Sequence, residues 1–324
     1  MVVTSVALTR LRFTNALRCY ANYALSLLGS VRVTHMPMFV SVEPASVCQL
    51  RCPECPVGQG IKPNDSSNRM MSDEVWHRVL SEVAPTACVM QFYFQGEPLL
   101  QPNLPHMIAE AHAEGLYTIV STNAQAMTPE LAEQLIQSGL SHIIVSMDGL
   151  TDESYGAYRK GGSLERCKQA LRWLREAKER LHAAITIELQ CLRLRSNEHE
   201  WSEFKRMYRA LGADCLTLKT AQLYDYADGH PLMPTNERYS RYRKGKDGRY
   251  HRKPIHRGCL RVWSGCVITT TGEVLACCYD KSHAHTYGNI MNASMRQLFT
   301  SARANQFRRA ALRQQPDICK ECWK

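Results

Sequence analysis

Cys48-Gln-Leu-Arg-Cys52-Pro-Glu-Cys55 follows an apolar run, Met38 to Val42, and sets three thiols at C-x3-C-x2-C spacing on one short loop. Three thiolates so placed can hold three corners of a cube-shaped iron–sulfur cluster and leave the fourth iron open to chemistry. The alternative is a zinc knuckle, which needs a fourth Cys or His close by. None lies between Cys55 and His77.

Outward from that loop, apolar runs alternate with helical segments as far as Thr220, the pattern of parallel strands joined by crossover helices. The expected strands are Phe39 to Glu43, Cys88 to Phe94, Tyr117 to Val120, His142 to Val145, Ala184 to Cys191 and Cys215 to Lys219. Ser72, Thr128 and Ser163 read as helix N-caps, and Gly139 and Gly212 as stops. Six β/α units predict an α/β fold, an open partial (β/α)6 barrel, with its site at the strand C-termini. There the polar groups collect: Gly96-Glu97-Pro98, Asn123, Ser146-Met-Asp148, Gln190 and Lys219.

The 324 residues, 44% hydrophobic, suffice for one large domain and a small one. The formal charge of +10 is concentrated between Arg241 and Arg257 and between Arg303 and Lys324. Neither run forms an aromatic stacking platform, which argues against nucleic acid and toward an acidic redox partner or anionic substrate. Fourteen cysteines grouped at metal-ligand spacings fit a reducing cytoplasm rather than a disulfide framework. Residues 11–28 carry Leu11, Phe13, Leu17, Tyr20, Tyr23, Leu25 and Leu28 beside Arg12 and Arg18. They read as an amphipathic helix, either packed on the body or in peripheral contact with a membrane surface.

The Cys48-Cys52-Cys55 spacing resembles the signature of the radical S-adenosylmethionine (SAM) superfamily. The resemblance implies a 4Fe-4S cluster whose open iron chelates SAM, reductive release of a 5′-deoxyadenosyl radical, and hydrogen abstraction from a substrate. It also implies a partial (β/α)6 barrel and a reducing partner such as flavodoxin or ferredoxin. Gly96, Glu97 and Pro98 match the element that receives the SAM ammonium, and Ser146 and Asp148 the pattern beside its ribose and methionyl parts. Arg159 resembles an arginine that pairs the SAM carboxylate. Asn123 and Gln190 are further candidates to line the cofactor site. Glu54 departs from the pattern, since the family often has an aromatic residue just before the third cysteine.

Past Thr220 the strand–helix alternation stops. Residues 221–258 read as a linker or mobile loop, with Gly229-His-Pro231 and Lys244-Gly-Lys-Asp-Gly248. Cysteines then return at 259, 266, 277, 278, 319 and 322, around a hairpin signal at Thr270-Thr-Gly272. This stretch resembles the SPASM/twitch extension of the superfamily, implying an auxiliary 4Fe-4S cluster on Cys259, Cys277, Cys319 and Cys322 in a small α+β domain. Cys266 and Cys278 are left unassigned, and zinc stays open as the alternative metal. The expected division is an N-terminal extension 1–37, the barrel 38–220, the linker 221–258 and the auxiliary domain 259–324. The expected activity is oxidation of a small hydroxylated molecule, with electron transfer to the auxiliary cluster. The alternatives are a peptide- or protein-modifying maturase and a zinc-stabilised binding protein. Only 37 residues precede the barrel, which counts against a leader-peptide module in front.

Overall fold

The computed structural model describes residues 6–61, 69–253, 258–320 and 322, without the Lys320 side chain. The first five residues of the N-terminal extension, residues 254–257 of the linker, and residues 321, 323 and 324 lie outside the described residues.

Helix α1 (Arg10–Leu27) precedes β1 (Phe39–Val42), and the cysteine loop follows directly. Then come α2 (Asp73–Val83), β2 (Val89–Phe92), α3 (Leu104–Ala113), β3 (Tyr117–Thr122), α4 (Pro129–Gln137) and β4 (His142–Ser146). Helices α5 (Asp152–Tyr158) and α6 (Leu164–Arg180) lead to β5 (Thr186–Arg193), and α7 (Trp201–Met207) leads to β6 (Cys215–Thr220). The six expected strands all form, in the spatial order β1-β2-β3-β4-β5-β6, with every pair parallel. Parallel pairing requires a crossover between strands, and the helices supply it by burying their apolar stripes on the sheet. On α2 the stripe is Val75, Trp76, Val79 and Val83, and the Ser72 hydroxyl accepts from the Val75 amide at 3.3 Å. Each large side chain so buried contributes about 1.5–3 kcal/mol. Helices α3 and α5 were not marked in the sequence; α3 starts after Asn103 without a side-chain cap.

The C-terminal part continues the same sheet. After α8 (Arg261–Ser264) come β9 (Gly265–Ile268), β10 (Glu273–Leu275) and β11 (Thr286–Asn289), followed by α9 (Met295–Phe299), α10 (Ala302–Leu312) and α11 (Asp317–Lys320) when numbered after the β7–β8 hairpin below. Strand β9 lies parallel to β1, from Phe39 opposite Gly265 to Val42 opposite Ile268. The full order is β11-β10-β9-β1-β2-β3-β4-β5-β6. A bare β1 edge would leave buried amides and carbonyls unpaired, and β9 satisfies them. The expected hairpin therefore forms, with Gly272 at φ 85° in its turn, as an extension of the barrel sheet rather than a sheet apart.

Residues 221–253 differ from the expected linker. They carry a hairpin, β7 (Tyr242–Lys244) against β8 (Tyr250–Arg252). Leu223, Met233 and Tyr242 are buried with Leu50 and Cys52 of the cysteine loop, and Tyr226 stacks on Tyr242 at 4.1 Å. Two three-residue strands in a polar stretch leave no periodicity to read, so only the packing reveals them.

Helix α1 forms where expected and packs on the body, but with its polar face inward. Arg12, Asn15, Cys19, Asn22 and Ser26 are buried, while Leu11, Phe13, Leu17, Tyr20, Leu25 and Leu27 are each at least half exposed. Among the described residues, no helix is long and apolar enough to cross a membrane.

Candidate active site

Strand β1 delivers the cysteine loop onto the C-terminal end of the sheet, where the turns after β2, β3, β4 and β5 hold it. Gly96 underlies it so closely that a Cβ there would sit 2.0 Å from the Ala45 carbonyl oxygen, which is why the position has no side chain. The Glu97 amide donates to the Val47 carbonyl at 2.8 Å. Glu97 itself is buried, and its carboxylate accepts from the Thr122 hydroxyl at 2.5 Å, the Asn123 amide at 2.8 Å and the Leu99 amide at 3.1 Å. Burial raises its pKa against these hydrogen bonds. Glu97 thus ties the β2 turn to the end of β3. Asn123, held in that way, donates to the Cys48 sulfur at 3.4 Å, and the Leu50 amide donates to the same sulfur at 3.4 Å. Two N–H groups aimed at one sulfur suit a thiolate. The Cys48 thiol is pushed up to about 11 by burial, opposed by the Leu50 amide and helped by Glu97 and the other loop cysteines.

Asp148, fully buried beyond β4, accepts from the Arg159 Nε at 2.6 Å and from the Leu192 amide at 2.6 Å. Asn197 donates to the Asp148 carbonyl at 2.8 Å. Burial, which would discharge Arg159, is outweighed by Asp148 and then by the Cys52 sulfur, so the guanidinium stays charged. Arg159 therefore stands between Asp148 and a cluster-loop thiol. Ser146 and Gln190 face each other across β4 and β5. Behind Gln190, Glu188 meets His142 at 2.9 Å. Burial would raise the Glu188 pKa, but His142, Thr217 and Gln190 hold it down at about 2.

Glu54 has a role of its own. It accepts from the Tyr224 amide at 2.6 Å and pairs with His230 at 3.2 Å, clamping the 221–253 segment over the cysteine loop. The polar residue thus stands where it can fasten that segment.

The second group of thiols is assembled from distant parts of the chain. The Cys319 thiol is pushed up to about 12 by burial, then by the neighbouring Cys259 and Cys322 sulfurs. Cys277 and Cys278 hydrogen-bond each other, and Arg261 donates to the Cys278 sulfur. Tyr279 feels both Cys322 and Cys278. Arg241 bridges this region to β6 through the Thr220 carbonyl at 3.1 Å and the Tyr279 hydroxyl at 3.2 Å. Cys266 is elsewhere: on β9, opposite Val40, it packs in the core beside Arg308.

Sequence reasoning missed Lys281, Gln125 and Glu188. The half-buried Lys281 lies over the Phe94 ring at 4.6 Å and feels Cys278 and Cys55, one sulfur from each group. Nothing in the sequence singles it out. Gln125 fixes the β3 turn to Tyr155 at 3.1 Å and to the Ser163 amide at 2.8 Å; its place two residues after Asn123 was the available signal. Lys219, whose tip reaches solvent, has its pKa lowered by burial and by Arg261 and Arg241, opposed by Glu188.

Among the described residues, no three His, Cys, Asp or Glu side chains form a ready site for a single metal ion. The fit to a cluster rests on the donor chemistry: three sulfurs on one loop, with amide donors turned toward one of them and an arginine beside another.

The radical SAM superfamily model matches residues 42–187, and the iron-sulfur cluster-binding domain model matches residues 259–323. A PqqA peptide cyclase from Bradyrhizobium diazoefficiens is 31% identical over 209 residues, 62% of this chain and 51% of that protein. The chain thus matches about half the length of that relative. The SuiB structure from Streptococcus suis, bound to S-adenosylmethionine, superposes with a TM-score of 0.66 at 12% identity, over 94% of this chain and 75% of that one. BtrN, solved with AdoMet and 2-DOIA, gives 0.55 at 18% identity, over 89% and 94%.

Proposed function

The chain belongs to the radical SAM superfamily and carries a C-terminal iron–sulfur cluster-binding domain, and from that premise we propose that it modifies a peptide. Its cofactors are a SAM-binding 4Fe-4S cluster, an auxiliary 4Fe-4S cluster and SAM. The observation that carries the peptide reading is the 31% identity to a PqqA peptide cyclase, which favours it over the small hydroxylated molecule expected first.

When bound, the first cluster with SAM supplies the radical that removes hydrogen from the substrate. The chain's own residues bind and orient. Cys48, Cys52 and Cys55 hold the cluster. Gly96, Glu97 and Pro98 shape the turn that receives the SAM ammonium, with Asn123 at its edge. Asp148 fixes Arg159, whose remaining N–H groups pair the SAM carboxylate. Ser146 and Gln190 line the ribose side. The 221–253 segment, fastened through Glu54, excludes water from this end of the barrel. Cys259, Cys277, Cys319 and Cys322 would hold the auxiliary cluster, which would supply an acceptor for the electron of the substrate radical. A flavodoxin or ferredoxin supplies the reducing electron.

The test is anaerobic turnover of the iron-loaded protein with SAM and a reductant, offered a peptide fraction from the producing cells or a panel of sugars and cyclitols. The expected product is a peptide lighter by two hydrogen atoms, with matching 5′-deoxyadenosine. An oxidised sugar or cyclitol, with every peptide unchanged, would return the protein to the small-molecule reading.

A further inference from the structure

The turned-round helix at the N-terminus is unexplained by the chemistry at the other end of the barrel. Its polar inner face is anchored residue by residue. The Arg12 guanidinium donates to the carbonyls of Ala7 at 2.8 Å, Gly115 at 2.9 Å, Ala84 at 2.8 Å and Glu114 at 2.6 Å. Asn15 exchanges two hydrogen bonds with the Met36 backbone, at 2.8 and 3.0 Å, and Asn22 accepts from the Thr34 amide at 2.7 Å. Rolling the helix to bury its leucines would strip a buried guanidinium of every one of those carbonyls, so the orientation is fixed.

What the anchors hold outward is apolar. Phe13, Leu17, Tyr20 and Leu27 follow one another at helical steps along one ridge, 50%, 55%, 51% and 55% exposed. Leu11 and Leu25 flank it, 61% and 51% exposed. The charge of α1 and of the chain up to β1 has one sign, although the exposed Glu114 stands at the anchored N-terminal end of the helix. No Asp or Glu occurs before Glu43, whereas Arg10, Arg18 and Arg32 are all exposed. An apolar ridge with exposed arginines and no carboxylate on the helix itself is complementary to the headgroups and upper acyl chains of an anionic bilayer. Two α1 helices paired face to face would offer those arginines no acidic partner from α1 itself. The ring of Tyr20, apolar with one polar tip, suits the same depth.

We propose that α1 docks the protein on an anionic lipid surface through this outward ridge. The helix packs on Ala84, Met36 and Gly115, which precede β2, β1 and β3, and its Tyr23 meets Trp263, just before β9. It therefore covers the strand-start end of the barrel. The bilayer would lie there, and the thiol loop at the opposite strand ends would face away from it.

The test is vesicle flotation of the iron-loaded full chain with phosphatidylcholine–phosphatidylserine vesicles and with phosphatidylcholine alone. The wild-type protein is expected to float with the mixed vesicles, less so as salt rises and less with phosphatidylcholine alone. Leu17→Glu/Tyr20→Glu, which alters two exposed side chains, should reduce flotation roughly tenfold or more with an unchanged melting temperature. Arg10→Gln/Arg18→Gln should remove the preference for phosphatidylserine. Equal flotation of wild type and Leu17→Glu/Tyr20→Glu would overturn the proposal, as would no flotation of the wild type. So would a dimer in sedimentation that the same double substitution dissociates without any vesicle binding, which would assign the ridge to a second copy. None of these readouts involves turnover, so they stand apart from the fate of the peptide reading.

Discussion

The two thiol groups are built in opposite ways. Cys48, Cys52 and Cys55 sit within eight residues, so the spacing alone puts their sulfurs on one short loop. Cys259, Cys277, Cys319 and Cys322 span 64 residues; Cys319 lies near Cys259 and Cys322, and Cys277 beside Cys278, only because β9 joins β1 and the C-terminal helix returns. A ligand set encoded by spacing tolerates distant change. One assembled by tertiary contacts is inseparable from the folding of that part of the chain.

The largest effect should come from the local set. Cys48→Ala/Cys52→Ala/Cys55→Ala is expected to lose half of about eight irons and all SAM cleavage, while the melting temperature of the barrel changes little. Iron analysis and 5′-deoxyadenosine measurement check this. Retained cleavage would remove the basis for treating the loop as the reactive centre.

Next is the dispersed set. Cys277→Ala/Cys319→Ala should lose the other half of the iron and stop substrate turnover, yet leave reductive SAM cleavage in place. Cys266→Ala, in the core beside Arg308, should keep all the iron. Cys278→Ala sharpens the contrast, because its thiol and that of Cys277 are electrostatically interacting neighbours. Iron loss in Cys278→Ala but not in Cys277→Ala would exchange the two in the ligand set.

The third prediction concerns the ion pair beside the local set. Arg159→Ala leaves the buried Asp148 without its guanidinium, which should cost about 3–5 kcal/mol of stability and weaken SAM binding with iron content unchanged. Asp148→Asn keeps the Leu192 contact and should be milder. Unchanged SAM affinity in both, by equilibrium dialysis, would detach this pair from the cofactor site.

The smallest effect is a pH dependence. With its pKa held at about 2, Glu188 contributes stability that is present above the ordinary glutamate pKa and lost as pH falls from there through about 2. The contribution is on the order of 2–3 kcal/mol. Glu188→Gln should flatten the denaturation midpoint across that acid range, without altering SAM cleavage by the local set. An identical acid profile in wild type and variant would show that the His142 contact adds nothing to stability.

Much of this was legible before the structure. The six parallel strands, their turns and the caps at Ser72, Thr128 and Ser163 follow from short-range patterns: apolar runs of strand length, stripes at helical spacing, and N-cap hydroxyls. The site's polar groups could be named because they stand at strand ends, where an open α/β sheet places its ligands. Lys281 could not, since it reaches both thiol groups only through a fold-back after β10.

The sequence by itself determined the cysteine loop, the strand–helix alternation and the presence of a helix at 10–27, because each is set by contacts within a few residues. Only the tertiary structure decided that 221–253 packs over the cysteine loop and that β9 extends the barrel at β1. It also decided that α1 turns its leucines outward. Hydrophobic periodicity finds a helix but not the direction in which it faces. For α1 that direction is set by four backbone carbonyls on Ala7, Ala84, Glu114 and Gly115, three of them more than seventy residues away. A guanidinium that leaves water for those partners must keep them, and this outweighs the pull of the leucines toward the core.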